Sequence, residues 1–245
     1  MIIGVIPSRF ASTRLPGKPL IELAGKPLVQ WVWEAAKRCQ RLDNVLVATD
    51  DERIAAACRA FGADVVMTPA ECPSGTDRIS AALEGRDADV VVNIQGDEPL
   101  MEPATVDACV AALVGNPGAA VSSAMTRIDT REDYLASHVV KVVVSETGRA
   151  LYFSRAPIPD SSRLTAGEQQ SLVAYKHLGL YVYRRAALEQ FIKLRPSRYE
   201  QAEKLEQLRF LEAGFHIQMV EVESGSVGVD TPEDVEKVEK LLLGR

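Results

Sequence analysis

Short runs of β-branched residues, each closed by turn residues and followed by helical periodicity, recur through the first half of this chain. That alternation is the pattern of successive βαβ crossovers around a parallel sheet. Residues 2–6 are followed by Leu28, Val32, Ala35, Ala36 and Cys39 at helical spacing. Residues 45–48 lead to Ile54, Ala55 and Cys58, and 64–67 lead to a helix near 75–83, before a further strand at 90–94. Val90-Val91-Val92 is apolar on both faces, so the sheet is expected to lie between two layers of helices. After about residue 120 the rhythm changes. Residues 141–145 and 149–153 read as antiparallel strands about Thr147-Gly148, and the polar segment 160–170 separates them from a strand over 175–183. One helix is expected through Ala202, Leu205, Leu208 and Leu211, ending near Gly214. Another starts at Thr231-Pro232-Glu233-Asp234, where a capping Thr precedes Pro and two acids.

Composition narrows the partners. Lys and Arg number 28 against 34 Asp and Glu, a net charge of −6, and no basic run exists to track a phosphate backbone, so nucleic acid is not expected. No apolar stretch approaches the ~18 residues of a membrane span, and residues 1–6 lack the basic start of a signal peptide. Cys39, Cys58, Cys72 and Cys109 never approach Cys-x-x-Cys spacing and read as buried free thiols of a reducing cytoplasm.

In open α/β sheets, ligands bind beyond the carboxyl ends of the strands. The first strand runs into Pro7-Ser8-Arg9-Phe10-Ala11-Ser12-Thr13-Arg14-Leu15-Pro16-Gly17-Lys18-Pro19, whose prolines and glycine forbid a regular helix. Arg9, Arg14 and Lys18 are thereby held in an irregular loop where they can converge on a multiply charged anion, for which a triphosphate is the natural fit. Composition leaves a solvated basic loop as the competing reading. Neither a P-loop nor a dinucleotide-binding glycine fingerprint is present. Further on, Asn93-Ile94-Gln95-Gly96-Asp97-Glu98-Pro99 puts an acid just past a buried strand, with Gly96 expected to let the backbone approach a ligand. Gly228-Val229-Asp230-Thr231 puts a second acid just before a helix. Two such carboxylates suit Mg²⁺, which takes one or two carboxylates plus substrate phosphates and water. Local turn and cap chemistry accounts for the same residues equally well.

Beyond residue 150, Arg155 ends a strand and is followed by two prolines, an arrangement suited to a carboxylate. Strand alternation puts Tyr175, His177, Gly179, Tyr181 and Tyr183 on one face, a bed for a polyhydroxylated sugar or simply the wet face of a two-sided strand. His177 alone could be a structural histidine, and Glu206-Gln207 could be a solvated helix flank.

The run from Arg9 to Pro19 resembles the N-terminal signature of the 3-deoxy-manno-octulosonate (Kdo) cytidylyltransferases, or CMP-Kdo synthetases, of the sugar nucleotidyltransferase superfamily. Five further segments are similar to motifs of that family: Pro73–Arg78, Asn93–Pro99, Ser154-Arg155 with His177-Leu178-Gly179, Leu205–Arg209 and Gly228–Asp234. The resemblance implies a Rossmann-like α/β nucleotidyltransferase core with helices on both faces of a parallel sheet. Residues 1–245 would form one domain, with an antiparallel elaboration at about 120–215 for sugar binding and dimerisation. It implies CTP contacts from Arg9, Arg14, Lys18, Ser74, Gln95 and Asp97, with Arg78 in support unless that residue is an exposed helix position. It implies Mg²⁺ on Asp97 and Asp230, and sugar-acid contacts from Arg155, His177, Tyr181, Glu206 and Gln207. The implied reaction is CTP plus Kdo giving CMP-Kdo and pyrophosphate for lipopolysaccharide, in the cytoplasm, by a homodimer. No histidine or third carboxylate stands out as a general base. Competing readings are a cytidylyltransferase for amino-Kdo or a sialic acid, and a non-catalytic nucleotide-binding regulator. Segment 160–172 has no clear counterpart in the family and lies beside the sugar-side residues.

Overall fold

The computed structural model describes residues 1–11, 15–165, 167, 173–223 and 225–244. Arg14 and most of 166–172 therefore lie outside the described residues. The parallel half of the main sheet comprises β1 (Ile2–Ser8), β4 (Asn44–Thr49), β5 (Asp64–Met67) and β6 (Val90–Asn93). A small hairpin of β2 (Glu22–Leu23) and β3 (Lys26–Pro27) stands apart. The other half uses β7 (Val121–Arg127), β8 (Lys141–Val144), β9 (Ala150–Ser154), β10 (Tyr175–Arg184) and β11 (Ile217–Glu221). The order is β11-β7-β10-β6-β1-β4-β5, with β8 pairing β10 and β9.

Alternation along each strand divides the core in two. Ile3 and Val5 of β1, Leu46 of β4 and Val91 of β6 enter one cluster, while Ile6, Val45, Val47, Val90 and Val92 enter the other. The second is roofed by α1 (Leu28–Lys37), α2 (Glu52–Ala60), α4 (Pro103–Gly115) and α9 (Pro232–Leu243). The first is roofed by α3 (Gly75–Ala82), α6 (Arg185–Phe191) and α8 (Gln207–Glu212). Further helices among the described residues are the short α5 (Arg131–Leu135) and α7 (Arg198–Glu203) and a 3-10 turn at Lys18–Leu20. Burial of this kind stabilises by roughly 1.5–3 kcal/mol per large aliphatic side chain, so truncating the fully buried Leu46 to Ala costs roughly 2–5 kcal/mol.

Three expectations are revised. The strand read at 175–183 is antiparallel, but it lies in the middle of the main sheet, between β6 and β7. The helix read through 202–211 is two helices, α7 and α8. The break falls at Lys204, in the left-handed region at φ 56°, where its N–H still closes α7 onto the Glu200 carbonyl. Cys39, Cys58 and Cys109 are buried free thiols, whereas Cys72 is only partly buried. Strands β7 and β11 and helix α4 escaped the sequence reading. In α4, alanine and valine on all sides blur the helical stripe, and β7 carries Ser122 and Ser123 where a buried strand is expected to be apolar.

Candidate active site

Three separated segments meet at the carboxyl edge of β1 and β6. The Lys18 ammonium donates to Asp97 Oδ2 at 2.8 Å, to Asp230 Oδ1 at 2.9 Å and to the Val229 carbonyl at 2.9 Å. The backbone reinforces this clasp, since Val229 N–H donates to the Asp97 carbonyl at 2.9 Å. Burial opposes the charge on Lys18, but Asp97 and Asp230 outweigh it and hold the ammonium above its ordinary pKa. The capping reading of Asp230 is answered by its neighbours. Thr231 and Asp234 form a reciprocal capping box on α9, so the cap does not require the Asp230 carboxylate that faces Lys18.

Beside the clasp, Arg9, Lys18, Gly75, Gln95 and Asp97 line a cleft of about 210 Å³. Gly17 makes the return of the loop possible. Its φ is 69°, and a Cβ there would lie 3.0 Å from the Phe10 ring. Arg53 of α2 stacks on the same ring, 3.4 Å from its centroid. Gly96, which also lines the cleft, has a second reason to be glycine, the close approach of the chain itself. A Cβ there would sit 2.9 Å from the Pro7 carbonyl, so glycine lets the loop after β6 pack on the end of β1. Ser74 caps α3, accepting from Asp77 N–H and donating to Asp77 Oδ2 at 2.6 Å. Arg78 is not the exposed helix residue allowed for above. It is 0% exposed and donates to Thr68 Oγ1 and to Asp50 Oδ2, the latter at 2.9 Å, one turn along α3 from the cleft-lining Gly75.

Of the residues read as sugar-side, His177, Tyr181 and Gln207 gather at the β10 face that carries the aromatic cluster. His177 lies edge-on to Phe153 at 4.9 Å and 5.4 Å from the Tyr181 ring, and Gln207 Nε2 is 3.4 Å from its Nδ1. Burial pushes the His177 imidazolium down to about 3, so the ring is neutral near pH 7. Burial likewise raises the Tyr181 phenol and the Glu206 carboxyl, the latter against the hydrogen bond it accepts from Thr76 Oγ1. The Arg155 guanidinium is engaged by backbone carbonyls. Its Nε donates to the Glu203 carbonyl at 2.8 Å and its Nη1 to the Ser137 carbonyl at 3.2 Å. Nearby Lys141, fully buried, donates to the carbonyls of Ala136, Val139 and Arg155. Two contacts bring this face to the cleft: Gln95 Nε2 donates to the Gly179 carbonyl at 2.8 Å, and Thr76 of α3 bonds Glu206.

Sequence reasoning missed Thr76, Ser123, Lys141 and Glu203. The one signal available was for Lys141, a charged residue opening the apolar run Val142-Val143-Val144. Among the described residues, no group of three or more His, Cys, Asp or Glu is arranged to hold a metal ion, and no helix is long and apolar enough to cross a membrane. The Asp97–Asp230 pair nevertheless suits an ion that takes few protein carboxylates. The two already converge on one cationic atom, the Lys18 ammonium.

A cytidylyltransferase family model matches residues 3–221. A relative from Geobacter sulfurreducens, 3-deoxy-manno-octulosonate cytidylyltransferase, is 49% identical over 98% of this chain and 99% of its own. The mitochondrial 3-deoxy-manno-octulosonate cytidylyltransferase of Arabidopsis thaliana is 46% identical over 100% of this chain and 84% of its own. Among solved structures, CMP:2-keto-3-deoxy-manno-octonic acid synthetase complexed with CTP superposes with a TM-score of 0.94 at 40% identity, covering 99% of this chain and 98% of that one.

Proposed function

The chain belongs to the cytidylyltransferase family, and from that premise we propose that it transfers CMP from CTP to Kdo, giving CMP-Kdo and pyrophosphate. The observation that carries this reading is the junction of a cationic and carboxylate-lined cleft with a partly buried hydrogen-bonding face, built around the neutral His177, through Gln95 and Gly179.

The sugar's anomeric 2-hydroxyl attacks the α-phosphorus in line. A new O–P bond forms, the α–β phosphoanhydride bond breaks with its electron pair leaving on pyrophosphate, and the hydroxyl proton is released to water. Catalysis of this kind is mainly positioning and charge neutralisation. Arg9, Lys18 and, outside the described residues, Arg14 bind the triphosphate, and Lys18 balances the charge that grows on the leaving pyrophosphate. Ser74 and Gln95 read the base, with Arg78 bracing the floor through Asp50. Asp97 and Asp230 would hold Mg²⁺, which when bound neutralises phosphate oxygens and acidifies the attacking hydroxyl. Arg155 takes the sugar carboxylate, and His177, Tyr181, Glu206 and Gln207 take its hydroxyls. We further assign the product to lipopolysaccharide synthesis in the cytoplasm and the working form to a homodimer. Exposed Leu151 on edge strand β9 and Tyr199 against its Tyr152 ring supply apolar surface for the latter.

The test is pyrophosphate release from CTP with Kdo or N-acetylneuraminate as acceptor, each with and without Mg²⁺. Release that requires Kdo and Mg²⁺ is expected. Release with N-acetylneuraminate alone would reassign the acceptor.

A further inference from the structure

Strand β10 is irregular where the two halves of the site meet. Leu178 pairs with Ala124 of β7 and Tyr181 with Ser123, so three steps along β10 answer one step along β7, and Gly179 and Leu180 fall out of the ladder. Side chains take up their carbonyls. Gln95 Nε2 donates to Gly179 at 2.8 Å, and Ser123 Oγ donates to Leu180 at 2.7 Å. Ser123 is fully buried, and its hydroxyl also lies 2.8 Å from His177 Nε2 and 3.3 Å from the Leu178 carbonyl.

A hydroxyl has one proton, and a carbonyl can only accept. With the Ser123 proton committed to a carbonyl, the oxygen offers His177 a lone pair, and Nε2 must carry the imidazole hydrogen. A neutral ring then has a bare Nδ1, which fits the Gln207 amide aimed at it from 3.4 Å. That contact is long, so a closer donor can replace it.

Resting on the sugar-side reading of His177, we propose that Ser123 is a positioning residue that fixes His177 in the Nε2–H tautomer and so makes Nδ1 an acceptor for a donating hydroxyl of the sugar acid. The bulge gives this arrangement its second effect. The segment that holds the histidine is tied to β7 by Ser123 and to the nucleotide side by Gln95, so the acceptor sits at a fixed offset from the cleft.

The experiment combines nitrogen-15 imidazole spectroscopy of the full chain with steady-state kinetics for Ser123→Ala, Ser123→Thr and His177→Gln. Wild-type His177 is expected to show a protonated Nε2 and a bare Nδ1; a protonated Nδ1 overturns the proposal without any variant having to fold. Ser123→Ala is expected to mix the tautomers and raise the KM for Kdo about tenfold, the scale of one lost hydrogen bond, while the KM for CTP stays within about twofold. Ser123→Thr, which keeps the hydroxyl, is expected to restore the tautomer. A mixed tautomer with an unchanged Kdo KM overturns the positioning role, as does a parallel rise of both KM values. If His177→Gln leaves the Kdo KM untouched, the sugar-side reading itself fails and carries this inference with it.

Discussion

At the carboxyl edge of β1 and β6 the protein gathers full charges in partial contact with water, whereas on the aromatic face of β10 it gathers groups that burial keeps neutral. Lys18, Asp97 and Asp230 have side chains 16%, 33% and 49% exposed and satisfy one another directly. His177 and Tyr181 are held instead by rings and neutral hydrogen bonds. The difference matches what the proposed function asks of each side. A triphosphate brings its own charge and counter-ion and can displace internal ion pairs, so a nucleotide side can rest in a paired state. A sugar brings hydroxyls whose directions matter more than their charge, so a sugar side is best set in advance.

The comparison breaks first at Asp97. Asp97→Ala is expected to lower the rate of pyrophosphate release about 10³-fold with the fold intact by circular dichroism. Near-normal turnover would show that the ionic side is a structural clasp rather than the site of reaction. Arg78→Met comes next, because it leaves the Asp50 carboxylate without its buried guanidinium partner. A loss of about 3 kcal/mol in denaturant unfolding is expected, and a loss below about 1 kcal/mol would mean that this pair does not brace the cleft floor.

Arg155→Ala sharpens the comparison from the other side. It is expected to raise the KM for Kdo about 30-fold while leaving that for CTP nearly unchanged. Equal effects on both substrates would make Arg155 only a strap across the carbonyls of Glu203 and Ser137. The smallest effect belongs to Glu98, whose carboxyl is pushed up to about 7 by burial first and then by Asp97. Between its ordinary 4.5 and about 7, the folded chain keeps a proton that the unfolded chain has released, so stability falls as pH rises through about 7. Glu98→Gln should therefore match wild type near pH 4 and exceed it by about 1–2 kcal/mol at pH 8 in thermal unfolding.

The same contrast explains what could be read in the sequence. Asp97 and Asp230 sit in loops beside regular elements and Lys18 opens a single 3-10 turn, Lys18–Leu20, and turn-forming neighbours mark all three locally. The parallel strands were legible because apolar runs buried on both faces need no partner to be recognised. Ser123 and Thr76 were not legible. Their roles depend on a two-residue bulge in β10 and on the packing of α3 against the segment before α8, contacts that span 54 and 130 residues. Gly96 shows the limit from within a recognised motif, since the need for a glycine was readable but the atom that requires it, the Pro7 carbonyl, was not.

The Lys18 clasp also has a consequence for synthesis. Its bond to Asp230 joins residues 212 apart, so a ribosome can complete β1, β4, β5 and β6, and with them most of the nucleotide cleft, while the carboxylate pair is still half made. On the proposed roles of these residues, a nascent chain would hold the cleft well before it could turn substrate over, because the clasp closes only when the Gly228–Thr231 turn has left the exit tunnel.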